Sequence, residues 1–231
     1  MPITLTSRRL GDITIVTCSG RIIEGPESTE LKALLDELLP FGPYLVLNLE
    51  GIDFIDSSGL GLLVRYLARA KNARGALALC ALSPRLTEAL RVTHLHAVFA
   101  PYDTEAEAIG ALYKRPRSAN DAPFKFRTDI LCVDESADMQ AYVRELLGQA
   151  GYGVATAGNI PDALILMVVA RPKAIVINAR LRLARSTASA EKFNRLADAL
   201  PVIELPADFS KADAGEAGQR LLDSVKALGV S

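Results

Sequence analysis

The chain is poor in the residues on which catalysis and cross-linking most often rest. It carries two histidines, His94 and His96, both in one short segment. No Ser-His-Asp set can be assembled from them, and no cysteine, aspartate or further histidine lies at metal-ligand spacing. Their expected place is the edge of the core or the surface. The three cysteines, Cys18, Cys80 and Cys132, each lie inside an apolar, strand-like run without paired or CxxC spacing. That pattern predicts buried, reduced thiols. No apolar run approaches the ~20 residues of a membrane span, and no signal-peptide core follows the N-terminal Met1–Arg9 stretch. A formal net charge of −1 gives no global footprint for nucleic acid or an anionic membrane. The expectation is a cytoplasmic protein without cofactor or resident metal, and without nucleic acid or membrane among its partners.

What is present is apolar material in abundance. Half of the 231 residues are hydrophobic, enough for one large domain or two small ones. Tyr44-Leu45-Val46-Leu47-Asn48-Leu49-Glu50 reads as a buried strand. Beyond Ser57 the period changes: Leu60, Leu63, Val64 and Leu67 share one face, with Arg65, Arg69 and Lys71 opposite, the pattern of an amphipathic helix. Asp56, Ser57 and Ser58 therefore occupy a strand-to-helix corner, where Asp and Ser accept hydrogen bonds from the orphan N–H groups of the first turn. A helix cap accounts for one of the three. An exposed hydroxyl pair beside it, at a helix N-terminus that tolerates an anion, also suits a phosphoryl group.

Asp56-Ser57-Ser58-Gly59-Leu60-Gly61, after a strand ending Leu47-Asn48-Leu49, resembles the signature of STAS domains of the anti-sigma-factor antagonist type. The resemblance runs in register over residues 3 to 113. It takes in Gly20-Arg21-Ile22, the helix with Leu31, Leu34, Leu35 and Leu38, and the strand Ala76–Cys80. A helix opened by Ser83-Pro84 follows, then Thr93-His94-Leu95 and Val98-Phe99. It implies a mixed sheet with helices and a regulator rather than an enzyme. It also implies that Ser57 is phosphorylated by a serine kinase that doubles as an anti-sigma factor, and that a phosphatase restores the partner-binding form. Asp56, Ser58 and Gly59 would join the partner surface. Relatives carry an acid two or three positions after the glycine matching Gly20, where this chain has Ile22 and Ile23; Glu24, one position on, is the substitute.

Composition shifts at Lys114 to Pro123, where prolines, small polar residues and cations lose all apolar periodicity. This predicts domains at 1–113 and 127–231 joined by a basic linker over 114–126. A solvated connector and a contact to nucleic acid are the two readings of its charge. Beyond it, strands are expected at Ile130–Val133, Val154–Thr156, Ala174–Ile177 and Pro201–Leu205. Between them come a helix with Met139, Val143, Leu146 and Leu147 ending near Gly151, and one capped by Asn159. Repeated βα units imply a flavodoxin-like parallel sheet with its chemistry at the carboxyl ends of the strands. Residues 127 to 228 resemble a two-component receiver, Val133-Asp134-Glu135 matching the acidic pair that helps to hold Mg²⁺. The phosphoacceptor Asp of that family corresponds to Asn178, and the hydroxyl residue after the fourth strand to Pro206. Lys211 is the loose counterpart of the receiver lysine, and the end of the domain is short by a strand or helix. An amide is a poor nucleophile and lacks the charge that completes the metal site, so a degenerate receiver is expected.

Leu164 to Ala170 is apolar on every side of its helix. Either the N-terminal domain or a second copy of the chain covers it, making a homodimer through the 160–170 helix, or helices of its own domain do. Arg180, Arg182, Arg185, Lys192 and Arg195 read as a solvated basic face or as a surface for an anionic partner. Gly59-Leu60-Gly61 is not a dinucleotide loop, since Val64 holds the third glycine position. Ser57 and Ser58 are not a nucleophile elbow, since Ile55 and Asp56 stand where the glycine is required. Three functions remain in order: a phosphorylation-switched anti-sigma-factor antagonist, a nucleotide-binding or enzymatic α/β domain, and a scaffold of a sensory complex.

Overall fold

The computed structural model describes residues 2–115, 128–183, 188–206, 209 and 214–230. Contacts divide the chain into two compact units, residues 1–124 and 125–231. The predicted linker falls almost wholly on residues 116–127, outside the described residues.

The first unit is a mixed sheet of β1 (Thr4–Leu10), β2 (Ile13–Ile22), β3 (Tyr44–Ile55) and β4 (Ala76–Cys80), in that order. β1 runs antiparallel to β2, and the other pairs are parallel. Among the described residues five α-helices accompany it: α1 (Pro26–Leu38), α2 (Ser57–Asn72), α3 (Pro84–Val92), α4 (His96–Phe99) and α5 (Glu105–Lys114). Alternation along β3 sorts its side chains. Leu45, Leu47, Leu49, Ile52 and Ile55 enter one core with Leu31 and Leu35 of α1, Leu63, Tyr66 and Leu67 of α2, and Leu86 and Leu90 of α3. Tyr44 and Val46 are buried outside that core, and α5 packs against β3 and β4. β3 runs five residues beyond the expected Glu50 because β2 keeps pairing with it through two register shifts, as far as Ile22 opposite Ile55.

The second unit is all parallel, in the order β6-β5-β7-β8: β5 (Ile130–Val133), β6 (Val154–Ala157), β7 (Ala174–Asn178) and β8 (Val202–Leu205). Its helices are α6 (Ala137–Gln149), α7 (Ile160–Val169), α8 (Ala179–Leu183), α9 (Ala188–Ala197) and α10 (Ala214–Ala227). Ile130, Cys132, Val176 and Leu205 meet Met139 and Val143 of α6 and Leu221 and Val225 of α10. The intervening Leu131, Val133, Ile175 and Ile177 are equally buried and face the other side. Pro201, expected to open β8, lies just outside it, accepting the Ile175 N–H through its carbonyl. Of the described residues after β8, only α10 forms a full element, in line with the shortened end.

The α7 helix does not need a foreign cover over most of its surface. It packs on α9, β5 and β6, which bury Ile160, Ala163, Leu166 and Met167. Leu164, Ile165 and Val169 are half-buried, Pro161 is exposed at the first turn, and Val168 is exposed at 62 %. Of the two readings of this helix, burial within its own domain accounts for all but that strip. None of the helices among the described residues is long and apolar enough to cross a membrane.

Candidate functional site

The corner between β3 and α2 is built around one carboxylate. Asp56 is in extended conformation at the N-cap of α2, and its Oδ1 accepts the Gly59 N–H at 2.8 Å. This is the capping geometry that the Asp-Ser-Ser-Gly spacing predicts. The second oxygen, Oδ2, accepts the N–H of Glu24 at 2.8 Å, and the N–H of Asp56 itself donates to the Ile22 carbonyl at 3.2 Å. Burial opposes the charged form of Asp56, but the backbone N–H groups of Gly59, Glu24 and Ser58 outweigh it and hold its carboxyl below the usual range.

Ser57 and Ser58 are the first two residues of α2, and both are exposed. They differ in what they touch. The Ser58 hydroxyl reaches Oε2 of Glu24 at 3.5 Å, whereas the Ser57 hydroxyl has no hydrogen-bond partner among the described residues. Gly59 is buried where a Cβ would run into the Ile22 carbonyl and the Ile22 and Ile55 side chains, so only glycine lets the helix start so close to β2. The structure thus brings Asp56, Ser57, Ser58 and Glu24 together on one small surface; Gly59, expected to join it, is buried beneath.

Two neighbours have no counterpart in the sequence reading. Phe54 is 37 % exposed, and the Arg85 guanidinium lies over its ring at 5.1 Å, a cation–π contact. Arg21 pairs with Phe54 across the β2–β3 register. The only sequence signal was an aromatic residue amid the acids of Asp53 and Asp56; nothing in the spacing links residue 54 to residue 85.

At the carboxyl ends of β5 and β7 the structure joins Asp134 to Asn178. Asp134 is buried; its Oδ1 accepts the Ser136 N–H at 2.8 Å and its Oδ2 the Asn178 Nδ2 at 3.0 Å. Asn178 Oδ1 accepts the Arg180 N–H at 3.0 Å, which fixes the amide with its nitrogen toward the carboxylate. A donor thus points at Asp134 from where a cation-binding site needs another acceptor. Glu135, expected beside it, is turned to solvent. This donor set does not fit Mg²⁺, and no group of three His, Cys, Asp or Glu suited to a metal occurs among the described residues. Lys211 and Arg185 lie outside the described residues. Arg180, Lys192 and Arg195 of the basic face are exposed, whereas Arg182 pairs through Nε with Glu204 at 2.8 Å and through Nη2 with Asp198 at 3.5 Å. With Glu191, Asn194 and Arg195, these three bonded residues line a cleft of about 560 Å³ of mixed charge.

The remaining reactive side chains are quiet. Cys18, Cys80 and Cys132 are free and buried, and burial pushes each thiol up to about 12. His94 and His96 are exposed.

Residues 4–108 match the sequence profile of the STAS domain family. The chain is 30 % identical over 102 residues to an anti-sigma F factor antagonist of Paenibacillus polymyxa, covering 86 % of that protein and 43 % of this one. It is 26 % identical over 104 residues to BtrV of Bordetella bronchiseptica, covering 89 % of that protein and 45 % of this one. Among solved structures, an anti-sigma-factor antagonist (STAS) domain protein from Planctomyces limnophilus is similar at 31 % identity and a TM-score of 0.39, over 98 % of its chain and 48 % of this one. The second unit is a parallel α/β domain of unidentified family.

Proposed function

We propose a function from one premise: through residues 4–108 this chain belongs to the STAS domain family. Its first unit is an anti-sigma factor antagonist that acts in the cytoplasm and binds a serine-kinase anti-sigma factor through the surface of Asp56, Ser58 and Glu24, which the buried Gly59 supports from beneath. Ser57 is the switch. The partner transfers the γ-phosphoryl group of its ATP to Ser57 Oγ; the bond to the β-phosphate breaks, and ADP and the hydroxyl proton leave. The product carries about −1.5 to −2 charges beside Asp53, Asp56 and Glu24, which turns a mixed surface strongly anionic and ends binding. A phosphatase restores the Ser57 hydroxyl by hydrolysis, water cleaving the P–O bond and inorganic phosphate leaving.

The observation that carries this reading is the Ser57 hydroxyl, exposed and unengaged at the first position of α2, next to a cap already filled by Asp56. The neighbouring Ser58 hydroxyl, by contrast, lies 3.5 Å from Glu24 Oε2. The second unit, similar in pattern to a receiver but with Asn178 donating to Asp134, serves as a protein-interaction module rather than a phosphoacceptor.

The test combines the full chain with ATP and a serine-kinase anti-sigma factor encoded beside it, and maps the phosphate by mass spectrometry. Phosphate at Ser57 supports the reading, and phosphate only elsewhere, Ser58 included, or none, overturns it.

A further inference from the structure

The loop after β2 and the start of α2 form one hydrogen-bonded unit, although Glu24 and Asp56 are 32 residues apart. Three bonds make it: Asp56 N–H to the Ile22 carbonyl, Glu24 N–H to Asp56 Oδ2, and the Ser58 hydroxyl to Glu24 Oε2. Close packing of Gly59 on Ile22 holds the end of β2 against the first turn of the helix. Two carboxylates, Asp56 and Glu24, therefore sit together at the corner. They are held by N–H and O–H donors; neither makes an ion pair with a cation among the described residues.

Neither carboxylate has an ion-pair partner of its own to offset an added anion, the neighbouring Arg85 guanidinium being stacked on Phe54. A phosphate on Ser57 would bring its charge and three acceptor oxygens to the same first turn, where free N–H groups and the helix dipole favour it. Asp56 is bonded covalently to Ser57 and cannot leave. Glu24 can, because it is held only through the loop. Its neighbour Gly25 has φ +127, a backbone setting open to glycine and strained for other residues, and its carbonyl accepts the Thr29 N–H and the Ser28 and Thr29 hydroxyls, so Gly25 is anchored to α1 and the freedom to turn lies in Ile23 and Glu24.

Resting on the reading of Ser57 as the switch, we infer that the Ile23–Glu24 segment is its second, moving half: phosphorylation of Ser57 breaks the Asp56–Glu24 clasp and turns Glu24 away from α2. The partner surface then loses its shape as well as gaining charge. Asp56 is the positioning residue that couples the two, and Ser58 helps to hold Glu24 in the unmodified form.

The experiment uses the full chain with phosphoserine genetically encoded at position 57, so it depends on no kinase. Residue-resolved amide hydrogen exchange is compared with that of the unmodified protein. The Glu24 N–H is expected to exchange faster by about tenfold or more, the change that accompanies loss of one charge-assisted hydrogen bond, while amides within β3 keep their protection. Asp56→Asn supplies a second arm. Its single amide oxygen can still cap Gly59 but cannot also accept from Glu24, so Glu24 should exchange faster in this variant while Gly59 stays protected. Unchanged Glu24 protection in the phosphoprotein, or in Asp56→Asn, overturns the inference. The switch reading fails separately, if the partner kinase leaves Ser57 unmodified.

Discussion

Asp56 divides its carboxylate between Gly59, three residues on, and Glu24, on a separate loop, so its substitution should be felt in both places. Removing an N-cap costs about 0.5–2 kcal/mol, and Asp56→Ala is expected to fall in that range by chemical denaturation at pH 7. The pH dependence has a definite sign. Folding lowers the carboxyl below its usual value, so the charged form is the one that stabilises. That contribution is complete above about pH 4 and is lost as pH falls through the lowered value. The difference between parent and Asp56→Ala should therefore narrow as the pH is taken below about 4; a constant gap would show that the charge of Asp56 contributes nothing. At Ser57 the expectation concerns binding. Ser57→Ala should still bind the kinase partner and resist phosphorylation, while Ser57→Asp or Ser57→Glu should lose binding, as read by calorimetry. The sequence made the cap and the hydroxyl pair legible because a helix N-terminus is a local event. It did not disclose the second acceptor role of Asp56 or the Phe54–Arg85 contact, because both depend on how distant segments pack.

Helices and strands were legible wherever their own periodicity decides which side is buried. The α2 stripe did so, and so did the alternation along β3. In α7 it did not, since a helix apolar on every side carries no information about which neighbour covers which face. The answer came from α9, which packs on it. The two sides should respond differently to substitution. Leu166 is fully buried, and Leu166→Ala should cost about 2–5 kcal/mol. Val168 is 62 % exposed, and Val168→Glu should change stability by no more than about 0.5 kcal/mol. Light scattering on Val168→Glu also weighs the remaining contact: an unchanged mass leaves the helix to its own domain, whereas a drop to half would make Val168 part of a dimer interface. At the sheet edge, β8 is four residues long between Pro201 and Pro206. The prolines limit the row of donors that an edge strand would otherwise offer to other chains.

Across the whole chain, the division into two α/β units followed from a composition shift and from two separate series of strand and helix signals, features too coarse to be blurred by local ambiguity. The all-parallel sheet of the second unit, with its helices, was legible in the same way. What no spacing could show was the direction of the Asn178 amide, which its bond to the Arg180 N–H decides. That direction makes the parent protein unsuited to Mg²⁺ and to acyl-phosphate chemistry, so no base-labile phosphate is expected after treatment with acetyl phosphate, and Mg²⁺ should bind only weakly. Asn178→Asp tests the physics directly. It replaces a donor 3.0 Å from Asp134 Oδ2 by a second carboxylate, and two such groups at contact distance cannot both ionise freely. The carboxyl pair then titrates higher in the folded state than in the unfolded one. A raised carboxyl contributes stability below its unfolded value and loses it as pH rises through the folded one. At pH 7 the variant should be less stable than the parent by about 1–3 kcal/mol, and the deficit should shrink toward pH 4. Added Mg²⁺ should raise the melting temperature of Asn178→Asp and leave that of the parent almost unchanged, in the transition that also responds to Leu166→Ala. If Mg²⁺ stabilises the parent as strongly as the variant, the amide is not what excludes the ion, and the second unit retains a working cation site.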